Sequence, residues 1–356
     1  TGRPLFGVFA DYISKAQQNY NCTIPWYVMT SPANHQPTVD YFKENDYFGL
    51  DPKHVTHFPQ AMMPAIGLAG DIQGKVLLAS KDSLALSPNG HGGSLKALHT
   101  SGAIADMKSR GISQISYTQV DNPTVHVVDP LFIGLHAIDN AQMSSKMLPK
   151  TGPKEKLGNF CFADGKMTVI EYSDLPDELA FQTRPDGELK FRAGSIAIHI
   201  INVGFVEDLS TSPTGFALPF HRAEKKVACI DLDTASPIDP SEPNAVKLET
   251  FVFDALPLCD SSILYETDRV EEFAPVKNAD NPEGEPVAVD SAASSKLLQT
   301  ERAARWLEKN NITIPRDAGG NVDAIIEIST RTAINPDDLS DADLPEAIKA
   351  GESVAI

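Results

Sequence analysis

Leu5, Phe6, Val8, Phe9, Tyr12, Ile13 and Ala16 recur at helical spacing, so the chain opens on an amphipathic helix. Short apolar, β-branched runs and helical periods then alternate. Residues 24–29 and 55–58 read as strands, with a short helix over 38–44 between them. A hairpin is expected across residues 66–86, where Gly70-Asp71-Ile72-Gln73-Gly74 supplies turn chemistry. A helix is expected from Ser94 to about Arg110, closed by Gly111. Residues 112–120 form an apolar, β-branched run that stops abruptly at Asp121, and Asp129 before Pro130 caps the next helix.

Beyond that helix, residues 144–150 read as a strand. Two further runs, 157–163 and 166–172, flank Asp164-Gly165, the sequence signal of a type I′ hairpin. Lys247 and Glu249 lead into Phe251-Val252-Phe253-Asp254, whose period-two aromatics read as a strand with one buried face. The acid- and turn-rich stretch 280–286 marks a boundary between a large domain, 1–285, and a small one, 286–356. The small domain is expected to hold a helix over 294–310, a strand over 324–329 and a loop or short helix after Pro336.

Charge narrows the function classes. A net charge of −18 over 356 residues excludes a general nucleic-acid or anionic-membrane surface, which needs basic patches. A polyanionic substrate must then be met by locally placed lysines and a metal. Cys22, Cys161, Cys229 and Cys259 lack metal-ligand spacing and read as reduced, non-catalytic thiols. No apolar run reaches transmembrane length.

Candidate chemistry concentrates in two places. Ser87-Pro88-Asn89-Gly90-His91-Gly92-Gly93-Ser94 is a glycine-rich loop opening a helical pattern, which lets backbone N–H groups approach a ligand. Asp121 ends a strand, where the ligands of open α/β sheets sit. Together they suggest a nucleotide held by backbone amides beside a metal-binding carboxylate. Other residues read two ways on chemistry alone. Gln60 is a surface amide or a base-reading one, Glu171 a solvated strand-end acid or a hydroxyl acceptor, and either ring of the Phe251/Phe253 pair core or pocket wall. His199 reads as a satisfied core histidine.

Five blocks in one order resemble the UDP-N-acetylglucosamine pyrophosphorylase branch of the UDP-sugar pyrophosphorylase family. They are Gly90-His91-Gly92-Gly93, Val120-Asp121-Asn122, 128–134, 247–254 and 272–279. The resemblance runs to about residue 285 and more faintly to about 330. It implies a GT-A-like (Rossmann-like) α/β nucleotidyltransferase with a central mixed sheet and a small C-terminal domain. The implied reaction joins UTP and a sugar 1-phosphate, giving UDP-sugar and pyrophosphate. N-acetylglucosamine 1-phosphate is the first expectation; glucose 1-phosphate, broad sugar tolerance, and nucleotide-sugar binding without transfer are the alternatives. By resemblance Asp121 holds Mg²⁺ and meets the nucleotide; Lys277 and Lys247 offset phosphate charge; Gln60, Gly90, His91 and Gly92 hold uridine. Gly158, Glu171, Tyr172, Ser195, Phe251 and Phe253 surround the sugar. His91 matches the UDP-glucose branch, whereas Gly92-Gly93 match the N-acetylglucosamine branch. Ser195 stands where the family usually has Asn. The basic segment His221 to Lys226 also resembles a family segment and receives no role. The family's N-terminal phosphate loop, of the type Ala-Gly-Gly-x-Gly-Thr-Arg-Leu-Gly, does not occur in this sequence, and a longer natural chain is expected. A cytoplasmic monomer or homodimer acting on small molecules completes the expectation.

Overall fold

The ten-residue strand Ala193–Asn202 is the axis of a six-stranded mixed sheet. On one edge it pairs antiparallel with Met143–Pro149, which in turn pairs parallel with Ser262–Glu266. On the other edge it serves two partners in succession. Gly194 and Ser195 pair with Gly158–Ala163, and His199 to Asn202 pair with Gln114–Tyr117. The register slips between these two stretches, where Ala197 sits at φ 55°. Such a bulge bends a strand and lets it change partners. The outer hairpin, Gly158–Ala163 with Lys166–Ile170, closes through Asp164 (φ 50°) and Gly165 (φ 76°), as the sequence leads one to expect of a type I′ turn.

The computed structural model describes residues 2–213, 215–216 and 218–356. Its first helix, Leu5–Tyr20, buries Phe9, Tyr12, Ile13 and Ala16 and ends on Asn21 in the left-handed region. The strand Trp26–Thr30 pairs parallel with Val55–Pro59 in a sheet of their own. A cleft of about 860 Å³ separates Trp26–Thr30 from Gln114–Tyr117, lined by consecutive residues 23–30 and 111–121. Side chains of a strand alternate between faces. A cleft touched by every residue in turn therefore runs along the strand edges.

Four expectations change in detail. The helix expected over 94–110 is two, Gly93–Thr100 and Ala103–Ser109, because Gly102 adopts φ 84° between them. Both still press Leu95, Leu98, Ile104 and Met107 against Phe205, Val206 and Leu209 of the helix Val203–Thr211. The 66–86 segment reverses twice: Ile66 bridges Val76 antiparallel around the expected 70–74 turn, whose first residues Gly70–Ile72 are 3-10, and Leu78–Ser80 pairs with Ser83–Leu84 through Lys81-Asp82. The run ending at Asp121 is a strand only over Gln114–Tyr117. The aromatic pair is not on a strand: Ala245–Glu249 stops short, and Val252–Leu258 is a 3-10 helix whose start is fixed by Phe251 N donating to Asp254 Oδ2 at 3.3 Å. Val252 and Phe253 are both buried, so the period-two pattern records a tight turn rather than two faces.

Toward the C-terminus, the helix Ala292–Lys309 and the parallel strands Ala324–Glu327 and Glu352–Ala355 share a separate apolar cluster of Ala304, Trp306, Leu307, Ile326, Leu339 and Ile348. Arg302 of that helix donates to Thr124 O (2.9 Å) and Glu271 O (3.2 Å), and Ser295 Oγ donates to Ala274 O (2.7 Å). The four cysteines are free thiols. Among the described residues no helix is long and apolar enough to cross a membrane.

The sheet core contains one full charge that the sequence pattern passes over. Lys146, in the middle of Met143–Pro149, is 1% exposed and places Nζ 2.5 Å from Asp129 Oδ2 and 2.6 Å from Glu272 Oε2. Asp129 also caps its helix by accepting from Leu131 N and Phe132 N, as its place before Pro130 implies. Lys146→Met keeps the volume but leaves two carboxylates facing each other away from water. It is expected to cost about 3–5 kcal/mol, measured by urea unfolding, with Glu272→Gln in the same chain recovering part of the loss.

His199 is a core histidine, fully buried, with Nδ1 2.8 Å from Ser145 Oγ. Burial, and secondarily His91, pushes its imidazole down to about 3; burial pushes His126 down to about 4, against the opposing pull of Glu272. Both folded values lie below the ordinary histidine value, so the unfolded chain takes up protons first as pH falls. Melting temperature is expected to hold above about pH 6.5 and decline from there toward about pH 4, with His199→Gln flattening the decline.

Candidate active site

The glycine-rich loop lies against the strand end at Thr250. Thr250 N donates to Asn89 O and Gly92 N donates to Thr250 O, each at 2.8 Å. Gly90 sits at φ 81°, and a Cβ there would lie 2.4 Å from Thr250 O; a Cβ at Gly92 would lie 2.6 Å from Phe251 N. The chain's own backbone thus fills the space these glycines leave, whatever else the loop approaches. His91 Nδ1 accepts from Val252 N at 3.1 Å, which puts the ring proton on Nε2, and the ring stacks on Phe251 at 5.1 Å. Burial, aided by His221, pushes His91 down to about 4, so it is neutral at neutral pH.

Gln60 follows the strand Val55–Pro59, with its N–H donating to Thr30 O at 2.8 Å. The next residue's carbonyl, Ala61 O, accepts from Asn89 N at 3.3 Å, which sets Gln60 beside the glycine loop. Its Oε1 is buried with no hydrogen-bond partner among the described residues. A buried orphan acceptor needs a donor, and a ligand N–H can supply it.

Asp121 lies four residues past Tyr117 and lines the same cleft as His91 and Ser94. Its Oδ2 stands 3.9 Å from Lys277 Nζ. Burial raises the Asp121 carboxyl above its ordinary value, Lys277 pulls it back, and Asp290 raises it further. The two partners come from loops joined by their backbones. Val276 N donates to Asp121 O (2.9 Å), Ala274 N donates to Asn122 Oδ1 (3.0 Å) and Asn122 Nδ2 donates to Glu272 O (2.6 Å). Asn122, buried and fully bonded, was quoted in a motif but given no job by sequence reasoning.

Gly158, Glu171 and Ser195 converge. Gly158 and Ser195 face each other across two strands, and a Cβ on Gly158 would lie 3.4 Å from Glu171 Oε1 and 3.6 Å from Ser195 Cβ. The Glu171 carboxyl is raised by burial and by the nearby Asp174, and held back by His221 and Lys277. Phe251 and Phe253 pack with tilted rings, centroids 5.1 Å apart, and both contact His91. Tyr172 is 46% exposed and no described contact draws it into the group. Lys247 also stands apart from Lys277; it shares the strand face of Glu249, whose Cβ would lie 3.0 Å from one on Gly90.

Two acidic settings differ in what they can hold. The ligand atoms of His126, Asp129 and Glu272 lie within 4.8 Å of one another, but the Lys146 ammonium already occupies that charge well. Asp121, with Asp290 near, faces one partly exposed lysine across 3.9 Å and no buried ammonium. Sequence reasoning missed the Lys146 cluster and the pair His221–Asp254, joined at 2.8 Å. A lysine in the middle of an expected strand was the available signal for the first. Nothing local signalled the second, whose members are 33 residues apart.

The UTP–glucose-1-phosphate uridylyltransferase family model matches residues 2–328. The Mus musculus UDP-N-acetylhexosamine pyrophosphorylase-like protein 1 is 35% identical over 340 residues, covering 92% of this chain and 66% of that protein. The Saccharomyces cerevisiae UDP-N-acetylglucosamine pyrophosphorylase is 33% identical over 347 residues, covering 95% of this chain and 69% of its own. Among solved structures, an Entamoeba histolytica protein named as a UDP-N-acetylglucosamine pyrophosphorylase superposes with a TM-score of 0.83 at 28% identity, covering 99% of this chain and 84% of that one. This chain spans just under two thirds of the mouse relative's length.

Gly90→Ala would drive a methyl into Thr250 O at a backbone angle that alanine disfavours. The substitution is expected to cost about 2 kcal/mol or more in urea unfolding, with or without ligand present.

Proposed function

We propose that this chain, which belongs to the UTP–glucose-1-phosphate uridylyltransferase family, makes UDP-N-acetylglucosamine and pyrophosphate from UTP and N-acetylglucosamine 1-phosphate. The observation that carries the reading is the Asp121–Lys277 pair at 3.9 Å; the orphaned Gln60 acceptor and the closeness of Gly158, Glu171 and Ser195 support it. A phosphate oxygen of the sugar 1-phosphate attacks the α-phosphorus of UTP. A new P–O bond forms, the bond to the β-phosphate oxygen breaks, and pyrophosphate leaves with that electron pair. The nucleophile is already an anion, so no base is required, and the protein's task is alignment and charge neutralisation.

Each residue has a corresponding task. Gln60 Oε1 accepts from the uracil N–H, and the loop at Gly90, His91 and Gly92 lies along the nucleoside. Lys277 brings its ammonium to the phosphates, and Lys247 adds charge from the neighbouring strand. Asp121 fits a Mg²⁺ site because that ion takes few protein ligands and completes its shell with phosphate oxygens. Bound there, Mg²⁺ would neutralise charge on the transferring phosphates. Glu171 accepts from sugar hydroxyls, with Gly158 and Ser195 beside it and Tyr172 exposed. The N-acetyl methyl packs on Phe251 or Phe253. The relatives' names support the N-acetylated sugar, while His91 and Ser195 keep glucose 1-phosphate as the second reading.

The test is pyrophosphate release from UTP with N-acetylglucosamine, glucose or galactose 1-phosphate. Fastest release is expected with N-acetylglucosamine 1-phosphate. A preference for glucose 1-phosphate would make the second reading correct, and silence with UDP-sugar binding intact would leave a binding protein. Asp121→Asn is expected to lower kcat by about 100-fold or more; near-normal turnover would remove the metal assignment.

A further inference from the structure

His221 begins the strand His221–Lys225, opposite Glu249, in a segment that no part of the reading above uses. Its Nε2 lies 2.8 Å from Asp254 Oδ2. An N–H donated to a carboxylate fixes the tautomer, so in the neutral ring Nδ1 carries the free lone pair. The ring packs on Phe251 with centroids 4.4 Å apart, and Phe251 packs in turn on His91. Asp254 also accepts from Phe251 N, so one carboxylate sets both the imidazole and the aromatic ring beside it. The side chain of His221 is 30% exposed while Asp254 is 12% exposed, so the pair opens on the His221 side. The Glu171 carboxyl is among the groups whose charge His221 influences.

We propose that His221 is a sugar-contacting specificity residue whose Nδ1 accepts the amide N–H of a 2-acetamido sugar, with Asp254 as the positioning residue that holds the neutral ring's proton on Nε2 and so turns Nδ1 toward the sugar as the acceptor. The inference rests on the pocket assigned above. It explains a division of labour that Glu171 alone does not supply. A carboxylate accepts from any hydroxyl, whereas a neutral imidazole held in one tautomer beside an aromatic ring matches a flat amide carrying a methyl. The ring of Phe251 receives the methyl and His221 receives the N–H. A hydroxyl at the same sugar position offers no methyl to Phe251 and gains less from the arrangement.

The experiment is calorimetric titration of the chain with UDP-N-acetylglucosamine, UDP-glucose and UDP, in unaltered protein and in two variants. His221→Phe keeps a ring against Phe251 and removes the acceptor. Asp254→Asn keeps the shape but can present an N–H to Nε2, which moves the imidazole proton onto Nδ1. Each is expected to weaken UDP-N-acetylglucosamine about tenfold, one hydrogen bond's worth, while UDP-glucose and UDP stay within about twofold. Equal weakening of all three ligands would make His221 a packing residue, and unchanged affinity for all three would remove it from the site; either overturns the proposal. Binding is read without turnover. Intact UDP-sugar binding with no pyrophosphate release therefore sinks only the transferase reading, and absence of UDP-sugar binding sinks both.

Discussion

The ammonium of Lys146, sealed in the sheet between Asp129 and Glu272, is the constraint on which the site's geometry depends. A buried charge of this kind stands only while its partners stay in place. Asp129 is thereby held at the start of its helix, and Glu272 at the end of the short helix Arg269–Glu272. The Glu272 carbonyl accepts from Asn122, Asn122 accepts from Ala274 N, and Asp121 O accepts from Val276 N. A charge placed inside the sheet is thus transmitted, hydrogen bond by hydrogen bond, to the spacing between Asp121 and Lys277 at its rim.

The central strand makes the second division. Its bulge near Ala197 separates the stretch paired with Gln114–Tyr117, which leads to Asp121, from the stretch paired with Gly158–Ala163, which leads to Glu171. Two carboxylates with different surroundings are carried by one strand's two halves. The glycine loop is clasped to Thr250 by backbone hydrogen bonds, and its His91 lines the same cleft as Asp121. The helix Ala292–Lys309 ties into the arrangement, since Arg302 and Ser295 donate to carbonyls at Thr124 and Ala274, in the loops that bear Asp121 and Lys277, and at Glu271 in the short helix before the second loop.

Much of this was legible before any coordinates. The first helix followed from its apolar period, the Asp164-Gly165 hairpin from its turn chemistry, and the cap at Asp129 from the proline behind it. The errors have local causes. Gly102 breaks a helix whose apolar period continues across it, and the turn after Glu249 mimics a strand in sequence because its two phenylalanines are spaced by two although the adjacent Val252 and Phe253 are the ones buried. Of the candidate residues, the structure gathers Gln60, His91, Asp121, Glu171, Ser195 and Lys277 around one region, while Tyr172 stays exposed and Lys247 sits on the neighbouring sheet. Lys146, Asn122, His221 and Asp254 went unassigned because their partners lie far away in sequence.

By itself the sequence determined the order of elements, the family and the types of chemical group available, because periodicity, turn residues and short motifs are properties of neighbours along the chain. Only the tertiary structure decided which carboxylate keeps an open flank. Asp129 is neutralised by Lys146 and bound to a helix start, whereas Asp121 faces a single lysine across 3.9 Å. Charge environment is set by groups that the fold brings together from separate elements, and no spacing within a motif can report it.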